Sequence, residues 1–173
     1  VTVNVSCKND PPTISAQTSS LSVDEDGGIN LSTGNFSISD VDSSSFTLSV
    51  GSGSNYYTSG TIVYPNANYY GSLSVPVNVF DGSDWSATYW ASITVNSVND
   101  NPSVQATVAS SFRDSENVTA SATASDIDGS ISFVRFHRYD LDNNSAYLGY
   151  IDDNTSPYNA DFGTMPPGNY RIW

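Results

Sequence analysis

The sequence predicts an all-β protein made of two antiparallel Greek-key β-sandwiches in tandem. Apolar residues nowhere recur at the helical period of about 3.6. Instead, short runs that alternate apolar and polar residues are separated by clusters rich in Gly, Asn, Asp and Ser. Tyr occurs 11 times and Met once in the 173 residues, and β-branched and aromatic residues favour strands.

The first half contains six alternating runs, which predict six or seven strands. That number over about ninety residues is typical of an antiparallel sandwich. Breakers such as DEDGG, DVDSSS and GSGSN separate the runs. The runs are TISAQTSSLSV, INLSTGNFSIS, FTLSV, GTIVYP, SLSVPVNVF and ATYWASITVNSV.

The second half repeats this pattern and predicts a second sandwich. Its runs are SVQATVAS, NVTASATAS, SISFVRFHRY, SAYLGYI, YNADF and NYRIW. The last run is its sixth strand, so we expect residues 101–173 to lack a final strand. Residues 9–100 form the first sandwich. Residues 1–8 are interpreted as the last strand of a preceding domain, because VTVNVSCKND is similar to SITVNSVNDN at 92–101.

The charge balance excludes several classes of partner. The chain carries 18 acidic residues against five Lys and Arg, for a net charge of −13. Such a surface repels nucleic acid and anionic membranes. No apolar run is long enough to span a bilayer. Cys7 is the one cysteine, so no internal disulfide can form.

The acidic residues are clustered and repeat between the halves. NDPP at 9–12 corresponds to VNDNP at 98–102, and SDVD at 39–42 corresponds to SDIDG at 125–129. Calcium takes about six to eight oxygen ligands, which an Asp-x-Asp pair and an Asn-Asp hinge can supply together. Plain turn residues are the alternative. Paired glycosidase carboxylates would need a cleft between them, which nothing in the sequence indicates.

Residues 9–102 resemble the cadherin-like tandem repeats of bacterial surface proteins. The motifs that carry the resemblance are NDPP, SVDEDG at 22–27, SDVD, YPNANYYG at 64–71, VFDGSDW at 79–85 and VNDNP. The resemblance implies calcium at the junctions between domains. The junction between the halves would use Asp24, Glu25, Asp26, Asn99, Asp100, Asp126 and Asp128. A junction before the first half would use Asn9, Asp10, Asp40, Asp42 and Asp81.

Two departures from that family's pattern remove oxygen ligands. Ser97 stands where animal cadherin linkers carry an Asp, two places before the Asn, and PNANYYG contains no Glu. We therefore expect one or two weakly held ions at each junction.

Residues 101–173 resemble the bacterial immunoglobulin-like domains of cell-surface and polysaccharide-degrading proteins. The motifs are ASDIDGSISFVRFHR at 124–138, YLGYIDDNTSPYN at 147–159 and PPGNYRIW at 166–173. The resemblance implies a spacer or interaction module without catalysis. The single histidine, His137, is expected on the strand face that points away from the core.

The sequence thus predicts a non-catalytic, extracellular, calcium-binding adhesion or spacer segment of a bacterial surface or secreted protein. Its partners would be neighbouring domains of a longer chain or identical subunits, with a cell-surface glycan or protein as a further target. One alternative is a carbohydrate-binding accessory module of a secreted polysaccharide hydrolase, with Trp85 and Tyr69 as the binding residues. Another is a filament subunit in which Val1, Val3 and Val5 add a strand to the sandwich that ends at Trp173.

Overall fold

The structure is a computed structural model that describes Val3, residues 8–108 and residues 116–173. It separates into two compact units, residues 1–98 and residues 99–173, and each unit is described by itself. The predicted first element at residues 1–8 falls almost wholly outside the described residues, as does Cys7. No helix in the described part of the chain is long and apolar enough to cross a membrane.

In its described residues the first unit contains nine strands and a short 3-10 turn at Thr33–Asn35. Its strands are β1 Thr13–Gln17, β2 Leu21–Asp24, β3 Ile29–Asn30, β4 Phe36–Ser39, β5 Thr47–Val50, β6 Tyr56–Ser59, β7 Ile62–Pro65, β8 Gly71–Phe80 and β9 Tyr89–Asn96. One sheet has the order β2-β9-β8-β5, and the others are β3-β7-β6 and β1-β4. The all-β prediction is confirmed.

One strand pair of the first unit is parallel, whereas its other pairs are antiparallel. β2 lies parallel to β9, with Leu21 opposite Ile93 and Asp24 opposite Asn96. The cause is a break at residues 18–20 in the run that the sequence predicted as one strand. β1 pairs with β4 before the break, whereas β2 continues in the other sheet beside β9.

Two further elements differ from the sequence prediction. The turn at Thr33–Asn35 divides the predicted run INLSTGNFSIS into β3 and β4. The pattern also missed β6, which forms a hairpin with β7 through the two-residue loop Gly60–Thr61. Gly60 adopts φ +61°, a conformation that glycine reaches without steric cost.

Side chains from several sheets form the core of the first unit. Along β8 and β9 every second side chain is buried, which matches the alternation in the sequence. The other sheets contribute larger side chains to the same cluster. Its buried members are Leu21, Leu31, Phe36, Tyr56, Val63, Leu73, Val75, Val77, Ala91, Ile93 and Val95.

The second unit has two three-stranded sheets in its described residues. The strands are β10 Ser103–Val108, β11 Asn117–Ser125, β12 Val134–Asp140, β13 Ala146–Asp153, β14 Tyr158–Thr164 and β15 Tyr170–Ile172. The sheet orders are β10-β11-β14 and β13-β12-β15. Every strand pair in these sheets is antiparallel.

The core of the second unit is small and rich in alanine. Phe136 is its largest fully buried side chain, at 1% exposure, and the other buried members are Ala120, Ala122, Tyr158 and Ala160. β10 is exposed along its whole length. An open cavity of about 320 Å³, with Val104, Phe136 and Trp173 among its lining residues, lies beside it. Few buried methylene groups therefore support this unit.

Asp142 joins the loop after β12 to the segment before β15. Its carboxylate accepts hydrogen bonds from the backbone N–H and the side-chain amide of Asn169, both at 2.8 Å. The side-chain bond and then the backbone bond hold the pKa of Asp142 below its ordinary value of 3.8.

We expect the second unit to lose stability as the solution is acidified below about pH 4. A depressed pKa in the folded state means that the Asp142 carboxylate contributes stability above its ordinary pKa. That contribution is lost as the pH falls through the folded-state value. Melting of the second unit followed between about pH 3 and pH 7 should show a shallower acid dependence in Asp142→Asn. An identical dependence in the variant and the wild type would contradict this assignment.

Candidate functional site

An acidic cluster lies at one end of the first unit because three chain segments meet there. Asn9 and Asp10 lead into β1, and Asp40 and Asp42 follow β4. Since β1 and β4 pair with Thr13 opposite Ser39, these two segments are neighbours. β8 ends at the same place, and the turn that follows it carries Asp81.

Hydrogen bonds tie the acidic cluster to the hinge residues. The side-chain amide of Asn9 donates to Oδ2 of Asp81 and to Oδ2 of Asp84, both at 3.0 Å. The backbone N–H of Asp10 donates to Oδ2 of Asp42 at 3.2 Å. The structure therefore brings together all five residues predicted for this end. It adds Asp84, which the second acid of the DGSDW motif could have indicated.

Asp40 and Asp42 lie next to each other in the turn after β4. Oδ1 of Asp40 accepts the backbone N–H groups of Asp42 at 3.0 Å and Ser43 at 3.3 Å. The backbone N–H of Asp42 lowers the pKa of Asp40, whereas the adjacent side chain of Asp40 raises the pKa of Asp42. Oδ2 of Asp40 is buried and has no hydrogen-bond partner among the described residues.

Hydrogen bonds hold the pKa of Asp81 below its ordinary value. Its Oδ1 accepts the backbone N–H groups of Asp84 at 2.8 Å and Ser83 at 2.6 Å. The bond from Asp84 is the largest cause that lowers the pKa of Asp81, followed by the bond from Asn9. Since the Asp42 carboxyl next to Asp40 has a raised pKa, negative charge is already crowded at this end.

The second unit repeats the bond between the hinge and the Asp-x-Asp pair. The backbone N–H of Asp100 donates to the carboxylate of Asp128 at 3.2 and 3.3 Å, as Asp10 does to Asp42. The side-chain amide of Asn99 donates to the carbonyl of Asp100 at 2.9 Å. Asp126 closes the turn by accepting the N–H of Gly129 at 3.0 Å. The internal repeat read from the sequence thus corresponds to a repeated local geometry.

Glu25 has a structural environment that the sequence did not reveal. It is 3% exposed, its backbone N–H donates to the carbonyl of Asn96 at 3.0 Å, and its Oε1 accepts the N–H of Val98 at 2.7 Å. Its neighbour Asp24 accepts the side-chain amide of Asn96 at 3.0 Å, and Asp26 is exposed. These three acids belong to the first unit, whereas residues 99–128 belong to the second.

A family model described as bacterial Ig domain matches residues 9–96. The chain belongs to this family. No curated protein and no solved structure matches this chain. Bacterial Ig domains are typically extracellular or cell-surface spacers and are generally non-catalytic.

The family match lies in a different half from the one that the sequence resemblance suggested. The bacterial Ig domain covers residues 9–96, where we expected a cadherin-like repeat, and the bacterial immunoglobulin-like module was expected at 101–173. A bacterial Ig-like β-sandwich chain is confirmed, and the cadherin-like character of the first half stays a prediction.

The acidic end of the bacterial Ig domain offers oxygen ligands of the kind that calcium prefers, although only two acidic side chains at a time lie close together. Within the described ranges, no three Asp, Glu, His or Cys side chains are arranged to hold a metal ion. Carboxylate, amide and carbonyl oxygens are nevertheless the donors that Ca²⁺ takes, in a flexible geometry. The buried, unpartnered Oδ2 of Asp40 is an oxygen that a cation would satisfy. The residues present therefore fit calcium by chemistry.

Trp85 and Tyr69 lie at opposite ends of β8 in the bacterial Ig domain. A ten-residue strand separates them, which corresponds to roughly 30 Å. Trp85 is half-exposed and packs on Phe80, with ring centroids 4.8 Å apart. Tyr69 packs against the core and donates its hydroxyl to the carbonyl of Ser72 at 2.9 Å. The structure does not bring the two rings together as one carbohydrate platform.

Proposed function

We propose that this chain is a non-catalytic extracellular spacer or adhesion segment whose bacterial Ig domain binds calcium at its acidic end. Calcium would be held where the hinge before β1 meets the turns after β4 and β8. The observation that carries the proposal is the buried Oδ2 of Asp40, which has no hydrogen-bond partner among the described residues and lies within a crowded set of carboxylates. The proposed ligands are Asn9, Asp10, Asp40, Asp42, Asp81 and Asp84.

A cation at this position removes an electrostatic problem. The adjacent side chain of Asp40 raises the pKa of Asp42, since two adjacent carboxylates resist simultaneous ionisation. Calcium would offset the repulsion between the two carboxylates. Because Asp10 and Asn9 belong to the hinge before β1, the ion would also fix that hinge to the turns after β4 and β8.

We extend the proposal to the second unit on the same grounds. Asp100 and Asp128 repeat the bond between Asp10 and Asp42, with Asn99 and Asp126 beside them in sequence. The implied partners are neighbouring domains of a longer chain, and identical subunits are the alternative. In either case calcium would stiffen the segment that leads into each sandwich, which suits an extracellular spacer.

We expect calcium to raise the melting temperature of the bacterial Ig domain. Extracellular calcium modules bind with dissociation constants of about 10⁻⁴–10⁻³ M. At about 1 mM free calcium, linkage then stabilises the folded state by about 0.4–1.4 kcal/mol. For a domain of 60–100 residues this corresponds to a rise of about 2–11 °C. Calorimetry in chelator and in calcium measures the shift, and identical midpoints would contradict the proposal.

The matched variants are Asp40→Asn and Asp140→Asn. Asp140 closes a turn of the same form in the second unit, since its Oδ1 accepts the N–H groups of Asp142 at 3.0 Å and Asn143 at 3.2 Å. Asparagine keeps the turn acceptor in both variants. Asp40→Asn should weaken calcium binding about tenfold, the effect of one lost charged ligand worth about 1.4 kcal/mol, without lowering the midpoint in chelator. Asp140→Asn should leave calcium binding unchanged.

Loss of stability in chelator for Asp40→Asn, together with an unchanged calcium response, would assign these acids to turn formation alone.

A further inference from the structure

One sheet face of the second unit carries a group of aromatic and basic side chains that we name the aromatic face. It is formed by one side of β12, by β13 and by the end of the chain beside β15. Cross-strand partners point to the same side of a sheet, and the register places His137 opposite Tyr150, Tyr139 opposite Tyr147, and Tyr139 opposite Arg171. The face comprises Arg135, His137, Tyr139, Tyr147, Tyr150, Asp152, Arg171 and Trp173.

The rings of the aromatic face form a connected array. His137 lies at its centre, with its ring centroid 5.2 Å from that of Trp173 at an interplanar angle of 21°, and 6.2 Å from that of Tyr150. Tyr139 lies 5.2 Å from Tyr147 and 6.4 Å from Trp173, nearly parallel to the latter at 13°. Each ring is thus held in position by its neighbours.

The outer rings of this array are open to solvent. Tyr147, Tyr150 and Trp173 are 51%, 52% and 62% exposed, while the middle rings are half-buried between them. The core is served by the opposite side of β12, where Phe136 is 1% exposed. The aromatic face is therefore not needed to fill the core, and an exposed patch of this kind indicates a binding surface.

Two arginines, Arg135 and Arg171, lie on the same face. The chain has only five Lys and Arg against 18 acids. Arg135 forms a bidentate salt bridge with Asp152, with hydrogen bonds of 2.7 and 2.8 Å. Its guanidinium lies 4.0 Å from the ring centre of Tyr150. The guanidinium of Arg171, in contrast to its backbone, makes no hydrogen bond or ion pair with any described residue. The face therefore offers an available guanidinium next to solvent-exposed rings.

We propose that the aromatic face binds a polysaccharide that carries carboxylate groups, such as a chain of uronic acids. Aromatic rings have a negative face, onto which the C–H groups of a pyranose ring pack. A guanidinium binds a carboxylate through two parallel hydrogen bonds, and Arg171 is placed to do so. Since the chain as a whole repels anions, this face is where an anionic sugar finds complementary charge. The inference goes beyond the proposed calcium function and uses different residues.

Affinity electrophoresis of the folded protein in gels containing polygalacturonate tests the proposal, with neutral dextran gels as the comparison. The wild type should be retarded by polygalacturonate and not by dextran, and added salt should reduce the retardation. The measurements are made in chelator, so that calcium bridging between carboxylates cannot produce binding. Absence of retardation, or equal retardation by dextran, would overturn the proposal.

Two variants and one control locate the binding. Tyr147→Ala combined with Tyr150→Ala should weaken binding about tenfold. Arg171→Gln should weaken binding by a similar factor and leave the fold intact, because Arg171 is exposed. The control is Trp90→Ala, a ring 62% exposed on the first unit, which should bind as the wild type does. Equal binding by Arg171→Gln and the wild type, or loss of binding in Trp90→Ala, would also overturn the proposal.

Discussion

Replacing Phe136 with alanine should unfold the second unit and leave the first unit folded. Phe136 is the largest fully buried side chain of the whole described structure, at 1% exposure, and three of the four other buried members of its cluster are alanines. Truncating a buried Phe to Ala costs about 3–5 kcal/mol. A domain of roughly 75 residues has only about 4–11 kcal/mol of stability in total, so the cost is comparable to the whole.

Limited proteolysis combined with calorimetry measures this effect. Phe136→Ala should leave a protected fragment that corresponds to the first unit, and the melting transition of the second unit should disappear or shift strongly downward. The matched control is Phe133→Ala, because Phe133 is the same residue type, three positions away and 50% exposed. A surface substitution of this kind usually changes stability by about 0.5 kcal/mol or less. Equal effects of the two variants would contradict the assignment of Phe136 as the centre of the core.

Strict alternation was the part of the fold that the sequence could predict. In β8 and β9 every second residue is apolar, and the structure buries those residues. The parallel pairing of β2 with β9 could not be predicted, because a strand that changes sheets keeps its alternation. β6 was hidden as well, since its four residues Tyr56–Ser59 follow a Gly- and Ser-rich breaker and depend on the Gly60 turn for their pairing.

The acidic residues illustrate the same division. The repeat of Asn-Asp and Asp-x-Asp motifs in sequence indicated that Asp10 and Asp42, and likewise Asp100 and Asp128, would meet, and the structure shows hydrogen bonds between both pairs. Local turn chemistry determines those contacts. The unpartnered oxygen of Asp40 depends on how residues far apart in sequence pack, so no motif reveals it.

The aromatic face also depends on tertiary structure. The run FVRFHRY predicts that His137 and Arg135 share one side of a strand, and the structure places them so. Their approach to Tyr147 and Tyr150 depends on the register of β12 with β13, which shifts between Arg138 and Tyr139. Such irregularities move side chains relative to simple alternation, and the sequence pattern does not show them.

Replacing Glu25 with alanine should destabilise the bacterial Ig domain by about 1–3 kcal/mol, and by the same amount with or without calcium. Glu25 is 3% exposed, and its carboxylate accepts the N–H of Val98 at 2.7 Å. Alanine would leave that partly buried donor without a partner, and such a loss costs about 1–3 kcal/mol. Glu25→Gln keeps an acceptor oxygen in the same place, so we expect it to retain most of the stability.

Urea denaturation of both variants, in chelator and in calcium, separates this structural role from the ligand role that the cadherin-like resemblance implies for Glu25. A buried hydrogen bond predicts a large loss in Glu25→Ala and a small one in Glu25→Gln, in either solution. A calcium ligand predicts instead that both variants resemble the wild type in chelator and fall below it only when calcium is present. Because the bond to Val98 joins the turn after β2 to the segment that follows β9, we expect the first pattern. Observation of the second would return Glu25 to the set of calcium ligands.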